Sequence, residues 1–319
     1  MAKVSSAIIA PSTSMKSITL LLLSLSAFIC PEVQSQEKPW QDATTTILIV
    51  VGPSNHPPGT HEVAAGGRLI EYCLEHITNV SGVDADVVYA WAEIPRPHDA
   101  YSSIVFIGDS FPGEKLPDSD QVMADIAAMM KRGCGLVCIH YGVGLQKDEV
   151  SHEGDHPLLH WMGGYFATKC AHHQSIAKVY RDAKIESAVP DHPVSRGWKT
   201  FTLFDEPYIN NYFGPDNNQL LPGAFALATS LLPPENPREE IVAWGIQRQD
   251  TGRGAGITMP HFYKNWQIEE LRRFILNTIL WTTKREVPEA GAQTTLPALE
   301  TFKPESVEVG PKKKKKAIR

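Results

Sequence analysis

The chain has 319 residues, 42% apolar and 21% charged, which excludes a disordered, collagenous or coiled-coil protein. Its net charge of −6 hides an imbalance: the last nine residues contribute +6 and the first 35 contribute +1, which leaves −13 on residues 36–310. So acidic a body argues against a nucleic-acid-binding surface.

From Ile18 to Cys30 runs ITLLLLSLSAFIC, thirteen residues that are apolar except for one Thr and two Ser. Lys16 precedes this run and Val33-Gln34-Ser35 offers a small-residue cleavage site, so residues 1–35 are expected to be a secretory signal peptide. Met15 is an alternative start to Met1. The run is too short to span a bilayer, which takes about 20 residues. The mature chain is therefore expected to be exported, periplasmic or secreted, with no transmembrane span. Ile29 before Cys30 is too large for a lipid-attachment site. Cys73, Cys134, Cys138 and Cys170 show no framework spacing and are expected to be buried thiols, with one disulfide as the alternative.

After a linker at 36–45, Thr46–Val51 is a continuous apolar run ending at Gly52-Pro53, the signature of a buried parallel strand. A helix is expected from about His61 to His76, then strands at Asp86–Tyr89 and Ser103–Gly108. Asp118-Ser119-Asp120 is expected to cap a helix running through Met130, and Gly135–His140 reads as a fourth strand. This β-α-β-β-α-β order predicts a doubly wound α/β sheet. Further strand-like runs lie at 172–180, 201–213, 224–230, 240–248 and 254–259, and a helix is expected from about Gln267 to Thr282. Past Pro288 the composition turns to Ala, Thr, Pro and Glu without apolar periodicity. The domain is thus expected to cover 46–285, with 286–319 a disordered tail ending in Lys312–Lys316.

Ligands of open α/β sheets sit outside the carboxyl ends of the strands. His56 and His61 follow the first strand, His140 ends the fourth, and His261 ends a later one, so these loops can converge on one rim. Cys138-Ile139-His140-Tyr141-Gly142 has the strand, tight turn and glycine of a nucleophile elbow, with His140 at the tip. His152, His156 and His160 have a helical i, i+4 spacing, but Gly154 and Pro157 break such a helix and argue against a metal trio. His172 and His173 begin a predicted strand, so at most one of them faces a given site. Asp205 and Glu206 lie in an apolar-aromatic strand, where unpaired acids are costly to bury; a metal, a cation or substrate hydroxyls would offset that cost. Trp161, Tyr165, Tyr208 and Tyr212 are either core residues or stacking surfaces for sugars.

Taken in order, GLVCIH at 135–140, HPLLHWMGGYF at 156–166, HH at 172–173, DHPVSRG at 191–197, FDEPYIN at 204–210, GRGAGITMPHF at 252–262 and ILNTILW at 275–281 carry a resemblance. With the His61 loop, they make the chain from about Thr46 to Trp281 similar to the trehalose-utilisation (ThuA-like) family. The resemblance implies a flavodoxin-like doubly wound sheet of the class I glutamine amidotransferase-like kind, here with additional strands in the C-terminal half. Amidotransferase relatives place a Cys at the elbow; His140 stands there instead, so glutaminase chemistry is excluded. What the resemblance implies for function is carbohydrate catabolism, of disaccharides through 3-keto-glycosides.

The resulting expectation is an exported sugar-active hydrolase, lyase or isomerase. His140, His261, Asp205 and Glu206 are the expected catalytic groups, and His61, His172, His173 and Tyr208 the substrate-binding ones. His140, His61 and His173 are the candidate ligands of a divalent metal, zinc or manganese, and no nucleotide cofactor is expected. The alternative is a non-catalytic sugar-binding or interaction module whose elbow has lost its nucleophile.

Overall fold

β1 (Thr45–Val51) is buried along its whole length because both faces of its sheet are covered. Ile47, Ile49 and Val51 pack with Leu69 and Leu74 of α1 (Val63–Glu75) and with Phe274 and Ile275 of α4 (Glu269–Thr282). Leu48 and Val50 point the other way, into a core with Val122 and Ile126 of α2 (Ser119–Lys131) and Leu158 of α3 (Pro157–Met162). Each such side chain contributes about 1.5–3 kcal/mol relative to exposure. This two-sided burial is why the strand reads as an unbroken apolar run rather than an alternating one. The computed structural model describes residues 44–308; the expected signal peptide, most of the linker and the Lys-rich run lie outside them.

β2 (Val83–Val88), β3 (Tyr101–Ile107), β4 (Gly135–Ile139), β7 (Tyr180–Ser187), β8 (Phe201–Asp205), β9 (Ala224–Leu232), β10 (Arg238–Gln247) and β11 (Arg253–Ile257) join β1 in one sheet, ordered β2-β1-β3-β4-β11-β10-β9-β7-β8. The first five of these positions are parallel and the rest antiparallel. The run 2-1-3-4 followed by a fifth parallel strand is the flavodoxin-like order, with the antiparallel strands as the additions. β5 (Gly144–Gln146) and β6 (Phe166–Thr168) form a separate parallel pair. Among the described residues no helix is long and apolar enough to cross a membrane. Cys73, Cys134, Cys138 and Cys170 are all free and buried.

Four expectations need correction. Residues 172–180 are not a strand: the chain bends after β6, and β7 begins only at Tyr180. The run at 201–213 is a strand only as far as Asp205, and Pro207, which has no N–H to give to a ladder, follows that end. Asp118 stands at the N-cap of α2 in a left-handed conformation, but its side chain makes no capping bond.

The fourth concerns residues 286–308, which are packed, not disordered. Val287, Ala292, Leu299 and Phe302 are buried in the α1/α4 core. The Asn277 side chain accepts from the Ala292 amide at 2.8 Å, and Arg68 donates to the Phe302 carbonyl at 2.7 and 3.0 Å. An extended segment held by a few spaced anchors has no helical or strand period for a sequence pattern to reveal.

Candidate functional site

Five strand ends converge, those of β1, β3, β4, β8 and β11. β4 runs out at Ile139, and His140 takes φ 49°, a left-handed conformation that is strained for a residue with a Cβ. Gly142 completes the elbow because a Cβ there would sit 3.0 Å from the Phe106 carbonyl oxygen. The loops after β1 and β3 touch at Gly52 and Gly108, where a Cβ on Gly108 would lie 3.1 Å from the Gly52 Cα. That approach brings His61 beside Asp109. The His61 amide donates to the His261 carbonyl at 3.0 Å, which ties the β1 loop to the segment after β11.

The three rings meet nitrogen to nitrogen. His61 Nε2 lies 2.7 Å from His140 Nε2 and 2.9 Å from His261 Nδ1, and the last two are 3.1 Å apart. Glu206 Oε2 is 3.3 Å from His261 Nδ1, and the Tyr208 hydroxyl is 3.0 Å from His140 Nε2. A cavity of about 20 Å³ lies against the three rings.

The far side of two rings decides where the protons are. His140 Nδ1 is 2.7 Å from the Thr258 carbonyl oxygen, which can only accept, so Nδ1 carries the hydrogen. His61 Nδ1 donates to Asp109 Oδ1 in the same way. Burial, and then the neighbouring imidazoles, hold His140 well below its ordinary pKa and bring His261 down to about 3; burial lowers His61 against the pull of Asp109. Neutral rings protonated at Nδ1 present bare lone pairs at Nε2. Two bare nitrogens thus face each other at 2.7 Å, and donation by Tyr208 or His261 leaves that pair still opposed.

A shared cation would relieve the repulsion. His61, His140, His261 and Glu206 offer one ligand atom each, all within 4.8 Å of one another. Tetrahedral zinc needs roughly 3.3 Å between such nitrogens, so the three pairs would have to part by about 0.2 to 0.6 Å. The Asp109 and Thr258 acceptors match the outer partners that fix metal-binding imidazoles. The residues fit a divalent ion.

The two acids have different duties. Glu206 faces the cluster, and burial, followed by the charge of Asp205, pushes its carboxyl up to about 7. Asp205 is fully buried and accepts the amides of Glu206, His261 and Phe262 at 2.9, 2.8 and 3.3 Å. It therefore holds the backbone of the His261 segment and lines neither the cavity nor the cleft, out of reach of sugar hydroxyls. Burial raises it to about 6.

His172 and His173 do not join the cluster. His172 Nε2 pairs with the Tyr165 hydroxyl at 2.8 Å, and His173 Nε2 donates to the Asn210 carbonyl at 2.7 Å. The bend after β6 carries both away, and the third ring of the candidate ligand set is His261, not His173. His156 caps α3, accepting from the Leu158 amide at 3.0 Å, while His160 pairs with Asp155 on the surface.

Beside the cluster opens a cleft of about 480 Å³, lined by Tyr141, Phe166 and Tyr208 with His56, Lys169 and Glu206 among its polar groups. Tyr165, Tyr208 and Tyr212 are all core residues with Trp161 packed against them, and Tyr208 alone of the four borders the cleft. Asp109, Tyr141 and Phe166 escaped the sequence reading. Asp109 lies two residues past β3, the position rule that marks His140, and that rule could have found it.

No family model matches the sequence, and no curated protein matches it. Among solved structures, a ThuA-like protein from Bacteroides uniformis superposes with a TM-score of 0.53 at 15% identity, over 79% of this chain and 96% of its own. A ThuA-like protein from Parabacteroides merdae gives 0.55 at 12% identity, over 79% and 98%. The chain has the ThuA-like fold. Its elbow carries His140, and no serine or cysteine stands at the tip.

Proposed function

We propose that the protein is a metal-dependent enzyme acting on a sugar or keto-glycoside, in which His61, His140, His261 and Glu206 hold one divalent ion. The observation that carries this reading is the pair of bare Nε2 atoms of His61 and His140, opposed at 2.7 Å with both Nδ1 protons held from behind. A divalent ion held there would supply a Lewis acid for a carbonyl or a water oxygen.

The chain's own residues do the rest. Thr258 and Asp109 lock two rings in the tautomer that ligates, and Asp205 fixes the segment that carries the third. Tyr141, half-buried at the cleft wall, is the aromatic ring within reach of a sugar there, while Phe166 and Tyr208 are buried behind it, with the Tyr208 hydroxyl aimed at the cluster. The buried cluster excludes bulk water on its sheet side, which strengthens every charge interaction within it. The ThuA-like fold and the carbohydrate association of that family support a sugar substrate. The apolar run at 18–30 supports export.

The test is metal stoichiometry on tag-free protein beginning after Ser35, beside His140→Ala. Near one zinc or manganese per chain, lost in the variant, with turnover of a 3-keto-glycoside, is expected. Protein that takes up no metal after dialysis against either ion defeats the reading. Sugar binding without turnover would make the chain a binding module.

A further inference from the structure

His56 is used by nothing described so far. Its ring stacks on His61 with centroids 3.5 Å apart and planes at 22°. The two rings are anchored by one carboxylate: His56 Nδ1 donates to Asp109 Oδ2 at 2.7 Å, and His61 Nδ1 to Oδ1. The Asn55 amide adds a bond to Oδ2 at 2.8 Å, which fixes the loop that carries His56. Two near-parallel imidazoles held at Nδ1 by the same group turn their Nε2 edges away from it together. One Nε2 belongs to the candidate metal cluster. The other ring is about one-third exposed and lines the cleft.

From this pairing we infer that His56 is a further catalytic residue: Nε2 takes a proton from substrate seated in the cleft beside the metal. The inference rests on the proposed metal-dependent, sugar-active reading. The Nδ1–H bond to Asp109 leaves a lone pair on Nε2, and Asp109 meets the positive charge that arises when the ring is protonated. For a keto-sugar, the hydrogen on the carbon next to the carbonyl passes as a proton to His56 Nε2. The C–H bonding pair stays on the substrate and is delocalised onto the carbonyl oxygen, and the ring returns a proton to carbon. No oxidant or second reactant is needed. Stacking one ring thickness from a metal-binding imidazole places the base against whatever that metal polarises, which a ring elsewhere on the rim would not achieve.

The experiment is hydrogen–deuterium exchange of methyl 3-keto-glucopyranoside in D₂O, followed by proton NMR, with zinc-loaded wild type and His56→Gln. Wild type is expected to exchange the hydrogens flanking the carbonyl faster than buffer. His56→Gln should slow this by roughly 10²–10⁴-fold with zinc content unchanged, and added imidazole should partly restore His56→Ala. Exchange at the wild-type rate in zinc-bound His56→Gln overturns the assignment and leaves the metal reading standing. Loss of zinc in His56→Gln would make the ring a support for His61 and also overturns it. Wild type that exchanges no faster than buffer defeats the keto-sugar reading and this inference together.

Discussion

The twelve histidines of this chain include two contrasting groups, one at the rim of the parallel strands and one in the segment from 152 to 173. In the second group each bonded ring answers to the surrounding protein: His156 bridges the Leu158 amide and Glu114, His160 meets Asp155, His172 meets Tyr165, and His173 meets the Asn210 carbonyl. At the rim the outer nitrogens of His61 and His140 are held by a carboxylate and a carbonyl, while their inner nitrogens face one another beside the Tyr208 hydroxyl and His261 Nδ1. The regular interval belongs to 152, 156 and 160, where Gly154 and Pro157 argue against a shared helical face, and no interval marks the rim group. What separates a ligand from a structural histidine is the chemistry on the far side of its ring.

The largest test of that contrast is His140→Ala. Its metal and its turnover should both vanish while circular dichroism shows the fold intact; a variant that keeps either would erase the distinction. Next comes Asp109→Asn, which removes the negative charge behind His61 and one of the two acceptor oxygens that hold His61 and His56, and should weaken metal binding by roughly 10–100-fold, read by competition with a chelating dye. Unchanged affinity would mean that the carboxylate does not support the ligand.

In the second group, His156→Ala should cost about 1–2 kcal/mol of stability through the lost α3 cap, with metal content unaltered. Urea denaturation with metal analysis of the same sample separates the two groups directly. Metal loss there would merge them.

Acid sharpens the comparison further. His61, His140 and His261 have native pKa values below the 6.5 of a free ring, so below that pH the unfolded chain binds more protons. The stability they carry in metal-free protein is present above pH 6.5 and drains as pH falls, for His261 down to about 3. Asp205 and Glu206, raised to about 6 and about 7, act in the opposite sense and favour the native state as pH falls through those values. Glu206→Gln should therefore steepen the loss of metal-free stability between pH 7.5 and pH 5, measured by urea midpoints. A shallower loss would reverse the sign of that account. Smallest of all, His160→Ala removes an exposed pair with Asp155 and should change stability by less than about 0.5 kcal/mol.

Much of the frame was legible in the residues. Apolar runs locate β1, β3 and β4 because both faces of those strands are buried, and the elbow at His140 is readable as a strand, a turn and Gly142. The position of His261 follows from the same strand-end rule. His172 and His173 misled because alternating faces apply only within a strand, and the chain bends there. Val287, Leu299 and Phe302 were missed as core because an extended segment can anchor without any period.

Strand and helix order, the doubly wound class and the histidine at the elbow were properties of the sequence, since local burial patterns and turn chemistry write them into neighbouring residues. Which histidines meet was decided only in three dimensions. His61, Asp109, His140, Glu206 and His261 come from five separate loops, and contacts between residues up to 200 positions apart leave no spacing to read. The proton positions that make two of those rings candidate ligands depend on a carbonyl and a carboxylate that only the folded sheet brings behind them.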